Sequence, residues 1–245
     1  LKRVTWGEDN AADMGPSLFF HTSDATFALI LNKPELGAED AEWFVWELTG
    51  TSLYWIEDEE GDPMQPATLV GVGVAGDSLY VPGWVRESDE MHLRRVSSKG
   101  EPTLVKAAGK PLKGAEVSAF STRGALLIRC LETEETEEPA LWLCRGDNAE
   151  RIVDEKKQPL RGIAFAKSNG AEILLTLESV SSTWQLFRID SKCVARPVKH
   201  GKDTISGKGP RFSFGVELSF AEGGLHSIAY SDGKTATYYF HSAAE

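Results

Sequence analysis

Residues 162–177, GIAFAKSNGAEILLTL, decide how the rest of the chain is read. A short strand of small and apolar residues runs into Asn169-Gly170, and a denser apolar strand follows. Asn-Gly tolerates the positive φ that a two-residue hairpin turn demands, so the segment reads as a β-hairpin. The same plan recurs at 17–31, 71–81, 116–130 and 215–230, with turns at Ser23-Asp24, Gly76-Asp77, Arg123-Gly124 and Glu222-Gly223-Gly224. Aligning Phe20, Val74, Phe120, Phe165 and Phe220 gives steps of 54, 46, 45 and 55. A third apolar strand follows each hairpin, at 42–50, 91–100, 140–148, 183–192 and 235–241. A fourth follows in four cases, at 52–58, 102–108, 150–156 and 193–200.

A four-stranded unit repeated at this period is the signature of a β-propeller, whose radial repetition protects the sheet edges. The expected fold is all-β, one domain of five blades at about 17–58, 69–107, 115–155, 161–199 and 213–241. The orphan strand at residues 1–6 is expected to complete the last blade and close the ring. Gly71, Gly73, Ala75, Ser118, Ala119, Gly162, Ala164, Ala166, Gly215 and Ser219 keep the first strands small, as a crowded central axis requires. Residues 37–48 read as loop then strand, although their Ala, Glu and Trp are compatible with a helical turn.

At the third strand the residues become familiar. Phe44-Val45-Trp46-Glu47-Leu48-Thr49-Gly50 resembles the ending of a WD40 repeat, with Glu in place of the usual Asp, and 184–194 resembles the same element more loosely. The resemblance is to a degenerate WD40-like propeller, since the Gly-His dipeptide of that family does not occur. It implies a rigid, non-catalytic platform for protein–protein interaction, a scaffold or subunit of a larger assembly.

Charge narrows the partners. The 245 residues carry a formal charge of -11, which disfavours nucleic acid and anionic membrane surfaces, and 41% hydrophobic content is enough to build a core. No apolar run is long enough to span a bilayer. Cys130, Cys144 and Cys193 have no C-x-x-C spacing, which suits reduced structural thiols in an intracellular protein, cytoplasmic or nuclear.

Several motifs that look chemical lack their context. Gly71-Val72-Gly73-Val74-Ala75-Gly76 matches a dinucleotide fingerprint, but a β pattern rather than a helix follows it. The five histidines are scattered, with His21 and His226 near first and second strands and most simply read as core residues. No catalytic residue, cofactor or metal site is expected. The alternative function is a carbohydrate-active propeller, a glycoside hydrolase or lectin, whose paired carboxylates near the axis would be Glu116, Glu217 and Asp24.

Loop lengths place the expected docking face. The long connections are 33–41, 82–90 and 132–139 within blades, and 59–66 and 200–210 between them. In a propeller both classes open on one face, and scaffolds concentrate function on such loops. That face is acidic, with Trp84 and Met64 as apolar points among Asp58, Glu59, Glu60, Asp62, Arg86, Glu87 and Asp89. These nine residues are the candidate partner-binding set, for a protein partner presenting a basic segment. Alanine at Trp84, or charge reversal across 58–60, is expected to abolish capture without lowering the melting temperature.

Overall fold

The computed structural model describes residues 17–32, 42–69, 71–85, 90–98, 101–122, 125–130, 139–168, 173–178, 183–208, 217–220, 225–231 and 235–241. Every regular element among them is a β-strand. The first sheet is β1 (Ser17–His21), β2 (Thr26–Asn32), β3 (Glu42–Thr49) and β4 (Ser52–Trp55), hydrogen-bonded in that order. The second is β5 (Gly73–Ala75), β6 (Ser78–Val85), β7 (Glu90–Ser97) and β8 (Thr103–Leu104), again in order. After a small hairpin of β9 (Lys106–Ala107) and β10 (Lys110–Pro111) come β11 (Ala115–Thr122), β12 (Ala125–Cys130), β13 (Ala140–Arg145) and β14 (Asn148–Arg151). That sheet runs β10-β9-β14-β13-β12-β11. The fourth sheet is β15 (Ile163–Ser168), β16 (Ile173–Glu178), β17 (Thr183–Ile189) and β18 (Ala195–Pro197). A hairpin of β19 (Lys199–His200) and β20 (Asp203–Thr204) follows, and β21 (Ser206–Lys208) pairs with β17. Three strands, β22 (Glu217–Phe220), β23 (Leu225–Ser231) and β24 (Thr235–His241), make the last sheet.

All five expected strand pairs are present, and 42–49 is strand; the expected turns at 123–124, 169–170 and 222–224 lie outside the described residues. The chain divides into two compact units. One holds Leu1–Ala119, Gly124–Leu126 and Cys144–Ala149, the other Phe120–Arg123, Leu127–Leu143 and Glu150–Glu245.

Strand alternation explains why these sheets need neighbours. In β2, Phe27 and Leu29 face one way, and Ala28 and Ile30 the other, and all four are buried. A sheet apolar on both faces must be covered on both. Phe27, Leu29 and Val45 pack in one cluster with Leu79, Val81 and Val96 of the second sheet.

The connections at 56–64, 105–112, 152–160 and 198–205 are ordered arms rather than open loops. Each fourth strand turns back and returns one apolar residue to the third strand. In the first sheet the Ile56 amide donates to the Val45 carbonyl (3.0 Å), Met64 to Ile56 (2.8 Å) and Val45 to Met64 (3.0 Å), a closed ring of three bonds. Leu141, Ile152 and Leu160 repeat it, as do Leu186, Val198 and Ile205. In the second sheet Val105 donates to Leu93 and Leu112 to Val105. The middle residue shifts by one between sheets, yet third-strand and return residues stand 19 positions apart in all four. All twelve side chains are buried.

The arm turns share a second device. Asp58 Oδ1 accepts the amides of Glu60 (3.0 Å) and Asp62 (3.1 Å), and Asp154 Oδ1 accepts those of Lys156 and Gln158, both at 2.8 Å. Asp190 closes the β17–β18 turn the same way, through Lys192 and Val194. In each turn the residue three positions on, Gly61, Lys157 or Cys193, takes positive φ. An aspartate that mimics a backbone acceptor is what such a turn selects.

Candidate functional site

The residues singled out by sequence divide sharply. β6 and β7 pair as far as Val85 opposite Glu90, with Trp84 opposite Met91 and Gly83 opposite His92. Trp84 is 56% exposed on this ribbon. Arg86, Glu87 and Asp89 lie outside the described residues. Met64 is not an exposed apolar point: it is 1% exposed, held in the core by the three-bond ring. Among the acids, Glu60 is exposed and Asp62 half-buried, whereas Asp58 and Glu59 have structural work.

Asp58 holds its own turn, so charge reversal at 58–60 cannot leave the melting temperature unchanged. Asp58→Ala removes two hydrogen bonds and is expected to cost about 1–2 kcal/mol, read from the urea midpoint. Glu59 grips a buried cation. Arg94 is 3% exposed, and its Nε and Nη2 donate to the Glu59 carboxylate at 2.9–3.0 Å. The guanidinium lies across Gly83, where an added Cβ would collide with Nη1. Gly83 is small because Arg94 occupies its side-chain space.

A comparison within the molecule marks this place as unusual. The residues flanking the buried third-strand position are Phe44 and Trp46 in the first sheet, with Ile30 paired to Phe44. In the second sheet they are His92 and Arg94, with Gly83 paired to His92. An aromatic core position has become a polar one. His92 is buried with both ring nitrogens lacking a hydrogen bond, although Glu90 Oε2 lies 3.4 Å from Nε2. Lys113, bridged to His92 through the backbone, pairs with Glu90 at 2.5 Å and holds that carboxyl below its usual range. The signal was readable in sequence: MHLRRV carries Arg94 where the other third strands have Trp46, Trp142 and Phe187.

Alternation separates these groups from Trp84. Gly83, His92 and Arg94 share the face of the second sheet turned to the first, and Trp84 and Met91 lie on the opposite face.

On Trp84's face, farther along β6 and β7, Arg95 ties two turns together. It donates to Ser78 Oγ (2.8 Å), Asp77 Oδ1 (3.2 Å) and Asp147 Oδ1 (3.1 Å), and Asp147 also accepts from Thr103 Oγ1 (2.9 Å). The Ser78 hydroxyl, helped by Arg95, holds the Asp77 carboxyl below its ordinary value against desolvation. Beneath them the Tyr80 hydroxyl and the Cys144 thiol both donate to the Gly146 carbonyl, at 3.2 Å. Burial, reinforced by Asp147, pushes the Cys144 thiol from 9.0 to about 12, and burial raises Tyr80 as well. A thiol this reluctant to ionise is a poor nucleophile. Its raised value contributes stability that is complete below pH 9.0 and is lost as pH rises towards 12. Cys144 should resist iodoacetamide at pH 8 in the folded chain and react on unfolding, as mass spectrometry of the peptide would show. Early alkylation would contradict the burial.

The three cysteines are buried. Among the described residues, no three of His, Cys, Asp and Glu are placed to hold a metal ion, and no helix is long and apolar enough to cross a membrane. For the carbohydrate alternative, Asp24 sits exposed in the β1–β2 turn, and the Glu116 and Glu217 side chains lie outside what is described. His21 is an exposed strand-end residue sharing a hydrogen bond with Thr26 Oγ1 (3.0 Å) rather than a core residue; the His226 side chain is outside the description.

No family model and no curated protein matches the chain. Among solved structures it is similar to a prolyl endopeptidase at 16% identity and a TM-score of 0.51, over 93% of this chain and 33% of that one. It also matches prolyl oligopeptidase B from Galerina marginata (10% identity, TM-score 0.45, 91% of this chain and 33% of that one). A β-xylosidase matches at 12% identity and a TM-score of 0.31, over 93% of this chain and 91% of that one. The chain spans about a third of the length of the first two. The first likeness shows the fold alone: all-β and propeller-like, built of successive antiparallel sheets.

Proposed function

We propose that the chain is a five-bladed, WD40-like propeller, closed by residues 1–6, and that it works as a non-catalytic protein-interaction module. The observation that supports this most is Trp84, a large aromatic more than half exposed near the end of the paired β6 and β7 strands. Aromatic side chains presented on rigid elements are the usual anchors of interfaces. Glu60, exposed at the tip of the 57–63 arm, with Asp62 beside it, favours a partner segment carrying Lys or Arg. Asp58 and Glu59 do not belong to that contact set, since both are engaged within the protein.

The test is capture from native extract with wild-type chain and with Trp84→Ala, followed by mass spectrometry. At least one basic protein should be retained by the wild type and lost by the variant, with the melting temperatures equal. If every retained protein survives Trp84→Ala, the anchor lies elsewhere.

A further inference from the structure

A strand at the edge of a sheet carries unpaired N–H and C=O groups, which natural proteins cover or blunt. The third and fourth sheets are covered by the preceding arm, laid parallel to the fourth strand. Lys106 stands opposite Asn148, and its amide donates to the Asp147 carbonyl (2.8 Å). Val153 stands opposite Val194, donates to the Cys193 carbonyl (3.0 Å) and accepts from the Ala195 amide (2.7 Å). The second sheet is blunted instead. Ala195 comes three residues before Val198, and three before Val105 comes Pro102, which has no N–H to offer.

The first sheet has neither device. Leu53 comes three residues before Ile56, and Thr51 five, as Cys193 comes five before Val198 and Asp147 five before Ile152. Because Ile56 donates to Val45, alternation turns the Ser52 and Tyr54 backbone towards β3 and the Leu53 N–H away from it. β4 ends its sheet, and among the described residues no strand pairs beyond it. Tyr54 is 59% exposed on this edge. Opposite it stands Glu47, half-buried, whose carboxylate has no hydrogen bond or ion pair among the described residues. Burial pushes that carboxyl above its ordinary value, as it does where no cation stands beside the charge.

We infer that the β4 edge is a docking site for one extended segment of a partner protein, parallel to β4 and bridging the Thr51 carbonyl and the Leu53 amide. Such a segment presents the backbone that Val153 presents to the fourth sheet. Its bridging residue lies opposite Ser52, so the residue two positions on lies beside Tyr54, on the face that carries Glu47. Two strand spacings put Glu47 about 10 Å from the added backbone, within reach of an Arg or Lys side chain passing over the Tyr54 ring. The unpaired carboxylate selects that cation. Trp84 is on the second sheet, on the face turned away from the first, so this edge is a separate surface and does not depend on Trp84 as an anchor.

The probe is the peptide acetyl-Thr-Leu-Val-Thr-Ala-Arg-Gly-amide, with its second Thr as the bridging residue. Added to the isotope-labelled full chain, it should shift the Leu53 and Tyr54 amide resonances and slow hydrogen exchange at Leu53. N-methylation of the second Thr removes the donor to Thr51 and should abolish both effects. Gln in place of the peptide's Arg, or Glu47→Gln in the chain, should weaken binding about fivefold. A Leu53 amide already protected without peptide would mean that the chain's own residues fill the edge, or a second copy where protection grows with chain concentration. Either result would overturn the inference, as would no change at Leu53, equal binding of the N-methylated peptide, or unchanged affinity with Glu47→Gln.

Discussion

Glu59→Ala is expected to cost about 3 kcal/mol of folding stability, and Arg94→Met far less, although the two changes break the same ion pair. The asymmetry follows from exposure. The Arg94 side chain is 4% exposed and that of Glu59 40%. Removing the carboxylate strands a guanidinium that water cannot reach, and the penalty for a buried, uncompensated charge is several kcal/mol. Removing the guanidinium leaves a carboxylate that can turn into solvent, and Met restores much of the lost packing over Gly83. Urea unfolding of the two variants measures both numbers. Equal losses would mean that Arg94 is better hydrated than its geometry shows.

The second large effect is expected at Gly207, which pairs with Trp184 in the fourth sheet. A Cβ there would meet three atoms of the indole at 2.7–2.8 Å, and Trp184 is 1% exposed with nowhere to move. Overpacking of this kind costs about 1–3 kcal/mol, and a fully enclosed ring puts Gly207→Ala near the upper end. Trp184→Leu in the Gly207→Ala background should recover part of that loss by opening the space. Thermal unfolding of the two single variants and the double variant gives the coupling. Strict additivity would show that the contact is relieved by backbone movement instead.

The five hairpins could be read because two local signals coincide in them, turn chemistry and a change in apolar density. Nothing in that reading needed knowledge of a neighbouring sheet. The arms were hidden because their signal is a single residue. Met64 stands alone among Asp58, Glu59, Glu60, Asp62 and Pro63, and a lone apolar residue in a charged segment fits an exposed anchor as well as a plug. What separates the readings is position: Met64 lies 19 residues after Val45, as Leu112, Leu160 and Ile205 do after Leu93, Leu141 and Leu186. Trp84 lacks that spacing and is exposed.

The acids were misread for a different reason. Composition makes 58–62 a surface patch, and two of its members are surface only in part of their chemistry. Asp58 is consumed by its own backbone, which the Asp-to-positive-φ spacing could have revealed. Glu59 is consumed by Arg94, 35 positions away, and only the packing of two sheets brings them together.

The constant spacing of the three-bond rings bears on how the chain folds. Each ring closes a loop of 19 residues and draws on no other sheet, so its entropic cost is small and independent of how many sheets already exist. Contacts between sheets span longer loops and reward folding only after both faces are formed. Assembly then starts locally at several places along the chain and proceeds by docking of finished sheets, in the manner of a repeat protein rather than a single collapsing core. In a chain of this design the closing of each ring does not wait on the number of sheets beside it, whereas the burial of each sheet's faces does.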